Sequence, residues 1–261
     1  LETAQRIVAT SPQEEEHMST LVSTKGSIDV IPCGTDIERF GCVDRKAARA
    51  ELGIHPETKL VLYVGRFDQR KGIETLVRAI GQSKLLGSDK LKLVICGGSR
   101  PGKSDGKERD RIEKIVAELG ITGITEFPGR VTQKDLPSYY AAADVCVVPS
   151  HYEPFGLVAI EAMASYTPVV ASDVGGLQFT VVNEETGLLA PPQDAQAFAN
   201  AIDRILIDAQ WAEKLGQAAR KRVENKFSWD GVAMQLSELY TNLLQQSVEQ
   251  ASLEQPMVAN S

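Results

Sequence analysis

Patterned cysteine and histidine are missing from this chain. Cys33, Cys42, Cys96 and Cys146 form no C-x-x-C pair, and the three histidines are scattered without an H-E-x-x-H spacing. Neither a zinc site nor a disulfide framework is indicated, and the cysteines read as packing residues. No apolar run approaches the ~20 residues needed to cross a bilayer, and no basic-then-apolar signal opens the chain. The expectation is a cytoplasmic protein with no integral membrane segment. Positive charge is in deficit. The 28 Lys and Arg against 35 Asp and Glu leave a net charge of −7, which argues against nucleic acid as the main partner. Also absent are a G-x-G-x-x-G after any strand and a G-x-x-x-x-G-K-[ST], so the phosphate loops of dinucleotide-dependent dehydrogenases and P-loop enzymes are lacking. The glycine-rich stretch 97–102 matches neither pattern. No two aspartates stand two apart, so an Asp-x-Asp metal clamp is missing, and neither metal nor other cofactor is expected. No repeat with a period of about 20–50 residues is evident.

What is present is a globular composition. With 261 residues, 43% of them apolar, the chain can bury one large core or two modest ones. From Lys59 onward, short β-branched runs alternate with amphipathic patterns. Strands are predicted over 60–64, 91–96, 124–127, 145–148 and 169–171, with helices between them. Runs such as Leu-Val-Leu-Tyr-Val and Val-Cys-Val-Val are apolar at every position, as in a parallel sheet covered on both faces. The reading is α/β, a doubly wound parallel sheet of Rossmann-like type, in which ligands bind beyond the carboxyl ends of the strands. Before Lys59 come a strand over 6–10, a helix around Glu14–Glu16 and a strand over 28–31 ended by Pro32, together an edge piece. Helices are expected over 195–207 and 209–225, then a last one to about 244 with Ser228 as its N-cap. Residues 245–261, rich in Gln, Ser and Glu, read as a mobile tail. The chain opens at Leu1 without an initiator Met, which is read as part of a longer polypeptide.

The chemistry concentrates in His-Tyr-Glu-Pro-Phe-Gly-Leu-Val-Ala-Ile-Glu. Over 157–164 every side chain but Glu161 is apolar, so this helix reads as buried all round and its carboxylate needs a partner. A core Arg is one candidate, and a ligand is the other. Glu153 precedes Pro154 and Gly156 and so stands on the loop entering the helix. The N–H groups of Phe155, Gly156 and Leu157 open that helix without intrahelical acceptors. At the end of the first central strand, Gly65 and Arg66 are followed by Lys71 at the start of another helix. Two cations at a helix N-terminus suit a diphosphate; the alternative is an Arg66–Asp68 surface pair with Lys71 solvated. Carboxylates accept hydrogen bonds from vicinal hydroxyls. Two of them at the ends of a phosphate-binding loop fit a ligand with a sugar on each side of a diphosphate, as in a nucleotide-sugar. Arg130 and Val131, in the turn after the third strand, could offer backbone groups to a base.

Gly65-Arg66 with Lys71, the Pro-Ser-His-Tyr-Glu-Pro-Phe-Gly-Leu run with Glu161, Pro168-Val169-Val170-Ala171 and Val174-Gly175-Gly176 together resemble the family 4 retaining glycosyltransferases of the GT-B fold. Gly-Arg-Phe-Asp-Gln-Arg-Lys-Gly and Gly-Gly-Leu-Gln-Phe-Thr-Val look nearest to its sucrose-phosphate synthase-like members. The resemblance implies a C-terminal donor-binding domain. In it Arg66 and Lys71 hold the diphosphate, Glu153 contacts the transferred sugar, and Glu161 binds the ribose diol, with Gly65, Arg130, Val131, Phe155, Gly156 and Leu157 lining the donor site. It implies hexosyl transfer from a nucleotide-sugar, preferably UDP-glucose, to a sugar or sugar-phosphate acceptor. The division it suggests is 1–36 as a remnant of an N-terminal acceptor domain and linker, 37–226 as the donor domain, 227–244 as a crossover helix and 245–261 as a tail. The acceptor domain would belong to the same or another chain, and without it the crossover helix would leave an apolar face exposed. Two other functions compete: a nucleotide-sugar binding module without autonomous transfer, and an oxidoreductase on the same sheet, disfavoured by the missing glycine fingerprint.

Overall fold

The computed structural model describes residues 4–21 and 27–253, with side chains as far as Ser247. At the N-terminal end, β1 (Ile7–Ala9) and β2 (Ile28–Val30) pair in parallel as a two-stranded sheet, and α1 (Pro12–Leu21) lies between them in sequence. Two short helices follow, α2 (Ile37–Gly41) and α3 (Arg45–Glu51), each started by an aspartate, Asp36 or Asp44, whose side chain accepts a first-turn amide. Such brief helices give too little periodicity to stand out in the sequence.

The main domain alternates strand and helix: β3 (Lys59–Val64), α4 (Ile73–Ile80), β4 (Leu91–Cys96), α5 (Ser104–Glu118), β5 (Thr125–Gly129), α6 (Leu136–Ala142), β6 (Val145–Val148), α7 (Leu157–Ala164), β7 (Val169–Ser172), α8 (Leu177–Thr180), β8 (Gly187–Ala190), α9 (Ala195–Ile207) and α10 (Ala209–Lys226). All six strands are parallel, in the order β5-β4-β3-β6-β7-β8. This is the expected doubly wound α/β sheet. The order reverses between β3 and β6, which makes a crevice at their carboxyl ends.

Alternation along each strand divides the core. Leu60, Leu62, Cys146 and Val148 pack on one face with α6, α7 and α10. Val61, Tyr63, Val145 and Val147 pack on the other with α4, α5 and α9. The amino end of β3 is pinned by Asp144, which accepts the Leu60 amide at 2.7 Å and pairs with Arg45 at 2.8 Å and the buried Arg49 at 3.3 Å. That end is thereby fixed by charge, and the opposite end is left for the site.

Several expectations are corrected. The third central strand runs from Thr125 to Gly129, because Ile124 closes a short 3-10 turn, and it carries Gly129 into register with Cys96. A sixth strand, β8, was not expected: Gly-Leu-Leu-Ala has no β-branched residue to mark it. Helix α7 is not buried all round, since Leu157 in its first turn is 49% exposed while Ala159, Ile160, Ala162 and Met163 are buried. The last helix, α11 (Trp229–Leu253), does not end near 244. Gln, Ser and Glu continue a helix where no Gly or Pro stops it. The expected tail from 245 therefore starts as helix, and its end, 254–261, lies outside the described residues. Ser228 caps α11 as expected, its hydroxyl accepting the Gly231 amide at 3.1 Å. Trp229, Met234, Tyr240 and Leu244 of this helix are exposed. Among the described residues no helix is long and apolar enough to cross a membrane.

Candidate functional site

The site grows from the two loops that leave β3 and β6 on either side of the reversal. After β3 the chain passes Gly65 and Arg66, makes a 3-10 turn at Gln69–Lys71, and enters α4 through Gly72. Gly72 is left-handed, with φ +65°, and a Cβ there would overlap the carbonyl oxygen of Pro149. Only glycine lets the β3 loop lie backbone to backbone on the β6 loop. The His151 amide adds a hydrogen bond to the Arg70 carbonyl at 2.8 Å. A second close approach braces the other side: the Gly176 amide donates to the Glu153 carbonyl at 2.9 Å, and a Cβ at Gly176 would overlap Pro154.

These contacts bring Lys71 and Glu153 together. Lys71 Nζ stands 2.6 Å from Glu153 Oε2, and the Ser150 hydroxyl donates to the same oxygen at 3.4 Å. Asp68 is taken by Arg70, at 2.8 Å between Nη2 and Oδ2 with a further bond from the Arg70 amide. Those hydrogen bonds hold the Asp68 carboxyl down at about 2. The alternative Arg66–Asp68 pair is thus replaced by an Arg70–Asp68 pair, and Lys71 is paired rather than solvated. Arg66 is exposed and has no carboxylate partner among the described residues. It lines a cleft of about 600 Å³ together with Gly65, Gly97, Gly98, Arg130 and Val131. The buried Tyr63 hydroxyl supports that loop from below by donating to the Arg66 carbonyl at 3.2 Å.

Past Glu153, the amides of Phe155, Gly156 and Leu157 donate to no acceptor among the described residues. Within α7, Glu161 is half-buried and accepts the Tyr140 hydroxyl at 2.7 Å. Its partner is therefore a tyrosine and not the core Arg considered from the sequence. Burial pushes the Glu161 carboxyl up, with the Tyr140 hydrogen bond and the Arg39 charge acting against it. Burial, and then the neighbouring carboxylate, push the Tyr140 hydroxyl well above its ordinary value, so it stays a donor.

The predicted residues thus fall into three groups: Gly65, Arg66, Arg130 and Val131 around the cleft, Lys71 on Glu153 in the loop before the amides that open α7, and Glu161 on Tyr140. His151 lines a separate cavity with Gln193. Sequence reasoning missed Tyr140 and Ser150. Tyr140 left a signal, since it follows Leu136 by one turn on the buried side of α6, and a buried hydroxyl needs an acceptor.

Comparison with known proteins agrees with this architecture. Residues 44–222 match the family model for glycosyl transferases group 1. A D-inositol 3-phosphate glycosyltransferase of Nocardia farcinica is 39% identical over 245 residues, covering 92% of this chain and 53% of the relative. An uncharacterized glycosyltransferase of Methanocaldococcus jannaschii is 35% identical over 243 residues, covering 92% of this chain and 60% of the relative. Among solved structures, a sucrose-phosphate synthase from Thermosynechococcus elongatus superimposes with a TM-score of 0.87 at 52% identity, over 94% of this chain and 60% of that one. The chain therefore spans 53% to 60% of the length of these proteins. The expected likeness to sucrose-phosphate synthase-like members of the GT-B glycosyltransferases holds, and the chain belongs to the glycosyl transferases group 1 family.

Proposed function

We propose that this chain is the donor half of a retaining hexosyltransferase that takes glucose from UDP-glucose and passes it to a sugar or sugar-phosphate acceptor, with no metal cofactor. The observation that carries this reading is the 2.6 Å contact of Lys71 with Glu153 between the two switch-point loops. In a nucleotide-sugar the bond to be broken joins a sugar to a diphosphate. A cation and a carboxylate in contact supply one group for each side of that bond.

In this reading Arg66 and Lys71 hold the diphosphate, and the amides of Phe155, Gly156 and Leu157 add donors. Glu153 accepts hydroxyls of the transferred sugar and Glu161 accepts those of the ribose. As the glycosidic bond lengthens, negative charge grows on the leaving diphosphate. The preorganised cations and amides stabilise that charge more than they stabilise the ground state. Arg130 and Val131 face the base. Likeness to a sucrose-phosphate synthase at 52% identity supports the sugar-phosphate acceptor. The acceptor half would come from the same or another chain, and the four free cysteines support a cytoplasmic setting. A second reading is a nucleotide-sugar binding module that holds the donor without autonomous transfer. An activity assay with the acceptor half supplied separates the two.

Calorimetric titration with UDP-glucose, UDP, ADP-glucose and GDP-mannose tests the site. Glu161→Ala is expected to weaken nucleotide binding by about 1–3 kcal/mol, and Arg66→Ala to weaken UDP more than uridine. Unchanged affinity in a folded Glu161→Ala protein removes the ribose role. Equal losses for UDP and uridine take Arg66 out of the phosphate site.

A further inference from the structure

We propose that Tyr140 is a positioning residue for ribose recognition: its hydroxyl fixes one oxygen of Glu161 so that the other is presented to the ribose diol of the donor. The inference rests on the reading of Glu161 given above and adds a residue that neither motif nor comparison assigns. Tyr140 is fully buried. Its ring is set edge-on to Phe40, with centroids 5.7 Å apart at 71°, and its carbonyl accepts the Thr167 hydroxyl at 2.7 Å. Both ends of the residue are held, so the hydroxyl that reaches Glu161 Oε2 has little freedom.

Glu161 Oε1 accepts from no group among the described residues. Arg39, whose charge acts on this carboxylate, is turned to the Gln133 carbonyl and lies over the Phe40 ring at 5.5 Å. It therefore leaves Oε1 to a ligand. Leu136 lines the cleft that holds Arg66 and Arg130. Tyr140 follows it by one turn on the same side of α6. A carboxylate that must chelate two adjacent hydroxyls gains from being fixed beforehand, because less rotational freedom is then lost on binding.

The test uses this chain with UDP, ADP and GDP and their 2′,3′-dideoxy forms. Tyr140→Phe keeps the ring and its contact with Phe40 and removes only the hydroxyl. It is expected to weaken the bound ribonucleotide about five- to tenfold. The dideoxy form should change by less than about twofold, and in a Glu161→Ala background, which leaves no carboxylate to position, the hydroxyl should matter by less than about twofold. Thermal midpoints verify that each variant is folded. Equal weakening of both ligand forms, or additive losses in the double variant, would show that Tyr140 only packs, and overturn the proposal. If Glu161→Ala abolishes the preference for ribose while Tyr140→Phe leaves it whole, the positioning role alone fails. If Glu161→Ala also leaves the preference unchanged, the ribose reading falls and the inference falls with it.

Discussion

Glu161 carries a cost that fixes its pH behaviour. Burial raises its pKa above the ordinary 4.5, so the folded state holds the proton more tightly than the unfolded chain does. Between the unfolded value and the raised folded value the native protein binds more protons, and stability falls as pH rises through that window. Below the window the penalty is absent, and at neutral pH it is present. Glu161→Gln keeps an acceptor for Tyr140 and removes the charge. It is expected to be more stable than the parent at pH 7, with the gain shrinking toward pH 4, as read from urea midpoints. A gain that does not vary with pH would mean that the carboxylate is not strained by burial.

The elements that matter most are the loops after β3 and β6, and their closeness depends on Gly72. Gly72→Ala forces a side chain into a left-handed residue and into the Pro149 carbonyl. Gly53 supplies the control, since it has φ +64° with nothing within 4 Å of a Cβ. Gly72→Ala is expected to cost about 1–3 kcal/mol more than Gly53→Ala. It should also weaken UDP binding, because Lys71 is displaced from Glu153. Denaturation and titration of both variants check this, and equal stability losses with unchanged binding would remove Gly72 from the site. At this scale the sequence was partly legible. Strands β4 and β6 stand where periodicity put them because continuous apolar runs flanked by turn residues have few other solutions. Strand β8 was hidden by its lack of β-branched residues, and the run of α11 past Leu244 was hidden because polar residues favour helix and tail alike.

For the whole molecule, a ligand that binds only the folded state stabilises it by RT ln(1 + L/Kd), with L the free ligand concentration, which grows with the logarithm of free ligand. UDP at a hundredfold excess over its Kd is expected to add about 2.7 kcal/mol. Glu161→Ala at the same UDP concentration should gain less, and a UDP-independent thermal midpoint would argue against a working donor site. The sequence by itself determined the local terms: alternation that makes buried parallel strands, a carboxylate placed on an apolar helix, and Glu153 on the loop before it. Those are set by neighbours within a few residues. Only the tertiary structure decided which groups meet. Lys71 and Glu153 are 82 positions apart and touch because β3 and β6 are adjacent where the strand order reverses. Tyr140 and Glu161 are 21 apart and touch because α6 and α7 pack on the same face of the sheet. Strand order and face are chosen by how all the helices share one core, a collective packing that no single stretch of sequence contains.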